Sequence, residues 1–169
     1  MSDKYVDAQR QGGEAARARE SSGVEPKYRC ITFETAAADV ALDVRRLFTV
    51  GANEIPVRCL IFNDAIAGMT EVDLGLYRPN LGVVVDRDAL MDGVDFAAGF
   101  AFASAKDGLA ALGVEERGTR TFGEIASDVV STDVVGHYPS DSYDIGLCLV
   151  SEVTAAGTVT VLLETIENQ

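Results

Sequence analysis

The sequence predicts a mainly β chain: an antiparallel β-sandwich with a short helix or two, carried behind an extended polar N-terminal arm. Three observations lead there. Short Val-, Leu- and Ile-rich runs recur between Gly, Pro, Asn and Asp residues, and about seven such runs at close spacing are the pattern of a sandwich or barrel. The first 28 residues carry almost no apolar side chains. The remainder is long and apolar enough to bury a core without disulfides or metals, since the 169-residue chain is 47% hydrophobic. It has no Trp, so that core must rest on Val, Leu, Ile and Ala, with Phe as filler.

Residues 1–28 form the arm and residues 29–169 the sandwich domain. In the arm, Gly12–Gly13 and Ser21–Ser22–Gly23 are breaks, with room for a short helix over Glu14–Glu20. Such a segment cannot bury enough surface to offset its ordering entropy. It is either a dangling terminus or an arm that lies on a neighbouring subunit, and Tyr5, Arg10, Arg17 and Arg19 are the residues that would make that contact.

From Tyr28 the pattern turns to strands. Tyr28–Thr35 alternates, with Tyr28, Cys30 and Thr32 on one side and Ile31 and Phe33 on the other. Leu42–Val50 reads as a strand, Gly51–Pro56 as a turn, and Val57–Asn63 as the next strand. Thr70–Tyr77 predicts a half-buried strand, with Glu71, Asp73, Gly75 and Tyr77 on a wet face. Val83–Val85 is a short strand. Asp88–Met91 reads as a helical turn capped by Asp86 or Asp88. Val94–Ser104 predicts a short helix and then a strand. Residues 105–142 read as a long loop with a helical turn near Phe122–Ser127. Tyr143–Ser151 and Thr158–Ile166 flank a Gly-bearing connector and predict an antiparallel hairpin. In the last run, Val159, Val161, Leu163 and Thr165 share one face.

The sequence offers little catalytic chemistry. His137 is the one histidine, in a polar loop with no orienting partner identifiable from the sequence. No phosphate-loop, dinucleotide, nucleophile-elbow or zinc-protease motif occurs. Asp86, Asp88, Asp92 and Asp95 gather in one string. An EF-hand loop needs an oxygen ligand at its fifth position and Gly at its sixth; Leu90 and Met91 stand there. A looser cation site involving Asp86, Asp88 and Asp92 stays open beside the plainer reading of a solvated acidic face. Cys30, Cys59 and Cys148 are odd in number and lack a CxxC pair. Each lies in an apolar run, so all three are expected to be buried small hydrophobes in a protein assembled in a reducing cytosol. No enzymatic activity, cofactor or metal is expected.

Charge narrows the partners. The net charge is −13, and phosphate backbones are bound through Lys and Arg, so no nucleic-acid partner is expected for the body. Residues 1–29 carry six bases and five acids, while residues 30–169 carry eight bases and twenty-two acids, so the acidity belongs to the domain. The first thirty residues lack a secretory apolar stretch, and no run approaches the ~20 apolar residues of a membrane helix. No membrane partner is expected.

Three stretches carry a resemblance: Asp73-Leu-Gly-Leu-Tyr77, Val85-Asp-Arg-Asp-Ala-Leu-Met-Asp-Gly-Val-Asp95 and Ala156-Gly-Thr-Val-Thr-Val161. With the polar arm and the closing strands, they resemble the small virion structural proteins that tailed phages encode near the major capsid protein. The resemblance spans residues 29–166, with little contribution from 105–142. It implies a jelly-roll or similar sandwich that decorates or cements the exterior of a capsid shell after assembly in the host cytoplasm. The implied partner is the major capsid protein, with the arm touching neighbouring subunits. Open sandwich edges would suit a homo-oligomer, dimer or trimer. Other readings are a head–tail connector or fibre-base module, and a non-viral acidic β-domain that binds carbohydrate or a cation.

Overall fold

The computed structural model describes residues 25–37, 39–79, 83–127 and 140–168. The arm residues Tyr5, Arg10, Arg17 and Arg19, the helix expected over Glu14–Glu20, and His137 lie outside them. Among the described residues are eight strands: β1 (Lys27–Thr35), β2 (Val44–Gly51), β3 (Glu54–Asn63), β4 (Val72–Tyr77), β5 (Val84–Val94), β6 (Lys106–Asp107), β7 (Ser142–Leu149) and β8 (Gly157–Glu167). One short helix, α1, spans Phe122–Ser127.

The strands form two four-stranded sheets, ordered β1-β8-β3-β6 and β2-β7-β4-β5. Every pairing is antiparallel, and the pairings nest: β1 with β8, β2 with β7, β3 with β6, β4 with β5. A long hairpin rolled up on itself gives this order, which is the topology of a jelly roll. The mainly β, antiparallel sandwich expected from the sequence is therefore the fold observed.

Alternation drives the two inner faces together. In β8, Val159, Val161, Leu163 and Thr165 all point inward and are buried. The first three meet Leu74, Leu76, Ile145 and Leu147 of the opposite sheet in one core. Ile31 and Phe33 of β1 pack against the margin of that core.

The closing strands do not pair with each other. β7 lies between β2 and β4, while β8 lies between β1 and β3. Residues 150–156 cross from one sheet to the other, a gap of about 10 Å. Strand periodicity reports which face is buried, not which neighbour is paired, so a hairpin and a crossover look alike in sequence. The crossover is anchored by Ser151, whose hydroxyl accepts from the N–H groups of Thr70 and Glu71 and donates to the Gly68 carbonyl.

The Gly51–Pro56 turn shrinks to Ala52–Asn53 between β2 and β3. These two strands also lie in different sheets. At the start of β2, Leu42 adopts a left-handed φ of 71° and belongs to the preceding turn, so the strand begins at Val44.

The largest departure is β5. The short strand at Val83–Val85 and the helical turn at Asp88–Met91 are parts of one eleven-residue strand. Its register against β4 shifts at three places. Gly75 explains why: a Cβ there would drive into the carbonyl oxygens of Asp86 and Arg87. The bare glycine lets the β5 backbone bulge over the outer side of β4. The Asp/Arg-rich run that resembles a helix cap is this bulge, and Leu90 and Met91 behind it enter the core.

That bulge also removes the wet face expected of β4, all six residues of which are buried. Arg87 reaches over the sheet and pairs with Asp73 at 3.0 Å. The Asp73 carboxylate also accepts from the Gly93 N–H. The Arg46 guanidinium stacks 4.2 Å from the centre of the Tyr77 ring.

Val94–Ser104 is neither helix-then-strand nor a regular element. Phe96 inserts into the core, and Asn63 forms a bridge with Phe100. A single 3₁₀ turn follows at Phe102–Ser104. Of the alternating aromatics, Phe96 alone is buried, Phe100 packs at the core margin and Phe102 is exposed. The helical turn near Phe122–Ser127 is present as α1. Its first turn is a capping box, in which the Thr121 hydroxyl accepts from the Glu124 N–H and Glu124 accepts from the Thr121 N–H.

Candidate functional site

Ionisable side chains converge where they hold the sandwich together. The clearest cluster closes one end of the first sheet. Arg29 of β1 donates two parallel hydrogen bonds, each 2.8 Å, to the carboxylate of Glu54. The Thr165 hydroxyl of β8 donates to the same carboxylate at 2.7 Å, and the Gly51 N–H does so at 3.1 Å. Burial alone would raise the Glu54 pKa. The bonds from Arg29, Thr165 and Gly51, with the Arg29 charge, outweigh it and hold Glu54 at about 2. Every group in this set is satisfied, so the cluster is a strut and not a reactive centre.

The acidic string on β5 holds a second pair. Burial, then the adjoining Asp88, pushes Asp86 up to about 6, while the hydrogen bond from Asp86 lowers Asp88. Two close carboxyls sharing one proton behave this way. Among the described residues, no three His, Cys, Asp or Glu side chains are grouped as a metal ion would need. Asp86, Asp88 and Asp92 thus share a strand without forming such a group.

The cysteines separate. Cys59 and Cys148 are buried, as expected, but Cys30 is exposed. Cys30 follows the outward parity of β1, and nothing described covers that face. An apolar run reveals a strand, not whether its outer side has a partner.

Two surface hollows lie among the described residues. One, of about 350 Å³, is lined by Phe62, Asp64, Phe100, Phe102 and Thr160. Its aromatic rim is real, with Phe62 and Phe102 edge to face at 5.8 Å. Its one carboxylate, Asp64, accepts from the Thr158 N–H. The other, of about 540 Å³, includes Asn53, Thr121, Glu124 and Tyr143, and its carboxylate is the cap of α1. Neither hollow brings together the acid and base that hydrolytic chemistry requires.

What the fold does present is a surface. Across the outer side of the first sheet, the register sets Cys30, Leu162 and Leu60 in one row and Thr32, Thr160 and Phe62 in the next. Across β1, β8 and β3 neither row carries a charge, and charge enters the first row only at β6, where Asp107 lies beside Leu60. Thr32 and Thr160 share a 2.9 Å hydroxyl contact, and charge returns in the flanking rows through Glu34, Glu164 and Arg58. β1 borders this face and pairs with β8 through nine consecutive residues without a register shift. No described residue pairs with its other edge.

The comparisons follow the fold. No family model matches the chain, and no curated protein matches its sequence. A chain in the solved capsid of Ralstonia phage GP4 is similar in structure, with a TM-score of 0.55 and 15% identity over 85% of this chain and 86% of that one. A chain in the cyanophage Pam1 capsid asymmetric unit is 12% identical over 85% of this chain and 84% of that one, with a TM-score of 0.46. The Ralstonia phage likeness is one of fold and extends over most of both chains.

Proposed function

We propose that this chain is a non-enzymatic virion structural protein that binds the outside of a phage capsid shell and stabilises it, as a decoration or cement protein. The observation that carries the reading is the shared fold with a chain from the Ralstonia phage GP4 capsid over more than four-fifths of both chains. The site geometry supports it. Among the described residues, the charged clusters are struts, the hollows lack paired acid and base groups, and the broadest uncommitted feature is a sheet face with an open edge. A body whose eight bases and twenty-two acids give a charge of −14 suits the outer side of a shell better than the DNA-facing side.

In this reading the N-terminal segment reaches neighbouring subunits, with Tyr5, Arg10, Arg17 and Arg19 as contact residues. About 28 extended residues reach at most ~90–100 Å, enough to touch two capsid subunits.

Co-sedimentation with assembled shells and with free capsid protein tests the proposal. Purified chain should pellet with shells and ignore free subunits, and limited proteolysis of residues 1–28 should slow on shells. Electron microscopy of labelled particles should find many copies over the shell. A few copies at one vertex would favour a connector or fibre-base role, and no association with particles would defeat the virion reading.

A further inference from the structure

The edges of the two sheets are not equivalent. β2 is interrupted by a register shift between Arg46 and Phe48. β5 shifts three times, and β6 is two residues long. Bulges and shortness are the devices by which proteins stop edges from pairing. β1 has neither. It is nine residues long, Lys27-Tyr-Arg-Cys-Ile-Thr-Phe-Glu-Thr35, with regular register, no proline and several strong strand formers. Among the described residues, none pairs with the row of backbone donors and acceptors along its outer edge.

We propose that β1 pairs with β1 of a second copy, antiparallel across a two-fold axis at Ile31, joining two four-stranded sheets into one of eight strands. The sequence of β1 is complementary to its own reverse. With Ile31 opposite Ile31, Cys30 faces Thr32, Arg29 faces Phe33, Tyr28 faces Glu34 and Lys27 faces Thr35. No like charges are opposed, and the basic end of each strand lies along the acidic end of the other, the arrangement that cross-strand energetics favour. Two bases and one acid give β1 a charge of +1 on a chain of −13. Two copies can therefore approach here without the repulsion that the rest of the surface imposes. Tyr28, 66% exposed, would gain cover from the partner. The same operation joins the parts of the outer rows on β1, β8 and β3, which carry no charge. A second copy also supplies a better strand than the chain's own residues 1–24, whose sequence has no alternating β-branched run.

The pairing belongs to the free protein and does not depend on whether the chain binds a shell, so it stands or falls separately from the function proposed above. Cys30 provides the probe. In this register it faces Thr32 of the partner, and the two Cys30 side chains are diagonal neighbours on one face, about 7–8 Å apart. A bismaleimide of about that span, added to the full-length native chain, should give a covalent dimer, and Cys30→Ser should abolish it. Sedimentation equilibrium should return twice the 17.9 kDa chain mass. Thr32→Lys with Glu34→Lys should shift the chain to monomer while keeping its native circular-dichroism spectrum, since both side chains are exposed, and its thermal midpoint should lose the concentration dependence that dimerisation gives the native chain. A monomer at every concentration, a trimer, or a dimer without the Cys30 cross-link would overturn the assignment. If the double variant does not fold, the native cross-link and mass decide alone.

Discussion

Glu54→Gln is the sharpest probe of what holds this sandwich closed. Glu54 is 6% exposed and Thr165 is fully buried, yet the carboxylate accepts from Arg29, Thr165 and Gly51 and lies 3.7 Å from Lys27. Glutamine keeps the shape but replaces one accepting oxygen with a donor, aimed at a guanidinium that can only donate. Breaking a fully buried pair costs about 3–5 kcal/mol. The Arg29 side chain is 23% exposed, which lowers the expected loss to about 2–3 kcal/mol, or roughly 4–12 °C in melting temperature for a chain of this size.

The pH dependence gives an independent readout. Folding lowers Glu54 from 4.5 to about 2. Its contribution is therefore full above about 4.5 and disappears as the pH falls through about 2. The shift alone converts to about 3 kcal/mol, and solvent screening at the sandwich mouth reduces this to about 1–2 kcal/mol. Acidification also relieves the self-repulsion of a −13 chain, so the quantity to measure is the difference between wild type and Glu54→Gln. Urea unfolding at closely spaced pH values from 7 to 2 should show the two stabilities converging between about 4.5 and 2. A loss below about 1 kcal/mol at pH 7, or a difference that does not change with pH, would refute the strut.

Three further outcomes follow from the packing. Gly75→Ala should cost more than about 3 kcal/mol or prevent folding, because its Cβ meets backbone that cannot step aside. Gly146→Ala, whose Cβ would meet side chains only, the Tyr77 ring at 2.6 Å and Val44 at 2.9 Å, should cost less, and equal losses in chemical denaturation would contradict the bulge account. Asp86→Asn should stabilise the fold at pH 7 by about 1 kcal/mol after screening. The raised pKa means that the native Asp86 gives its full stability below about 3.8 and loses it as the pH rises through about 6. Stability curves of the two proteins that stay parallel across that window would rule this out. A maleimide should label Cys30 alone in the native protein and reach Cys59 and Cys148 only on unfolding. Burial, then the Asp107 charge, pushes the Cys59 thiol up to about 12, and burial is the main cause of the rise at Cys148. Mass spectrometry of native protein with a second label would disprove that order.

Much of the sandwich is legible because period-two alternation is a local signal. β8 shows it plainly, from Val159 to Thr165, and its inward residues are buried as the pattern requires. The Thr121–Glu124 box is equally local, and α1 begins there. What is not local is not legible. Pairing of β1 with β8 joins residues more than a hundred positions apart, and the choice between hairpin and crossover at 150–156 depends on strands elsewhere in the chain. β5 misleads for a related reason. Asp86 and Asp88 resemble helix caps because caps and bulges both need short polar residues beside an exposed backbone, and the deciding feature, a bare Gly75 across the ladder, lies on another strand. The Arg29–Glu54–Thr165 cluster likewise draws one residue from each of three strands.

The surface features that bear on function share this property, and charge connects them. A chain of −13 cannot bring arbitrary faces of two copies together, because repulsion between dispersed carboxylates opposes it. Association is confined to places where charge is absent or balanced. Alternation turns Ile31 and Phe33 of β1 inward and leaves Tyr28, Cys30, Thr32 and Glu34 outside. The register then aligns Cys30 with Leu162 and Leu60, and Thr32 with Thr160 and Phe62, on β8 and β3. No single segment of sequence contains that surface, uncharged across its three long strands; it exists only once β8 is seated between β1 and β3. The acidity that disfavours a nucleic-acid partner thus acts, through the sheet order, as a selector of contact surfaces, leaving a regular edge strand and the face beside it as the least repelled part of the molecule.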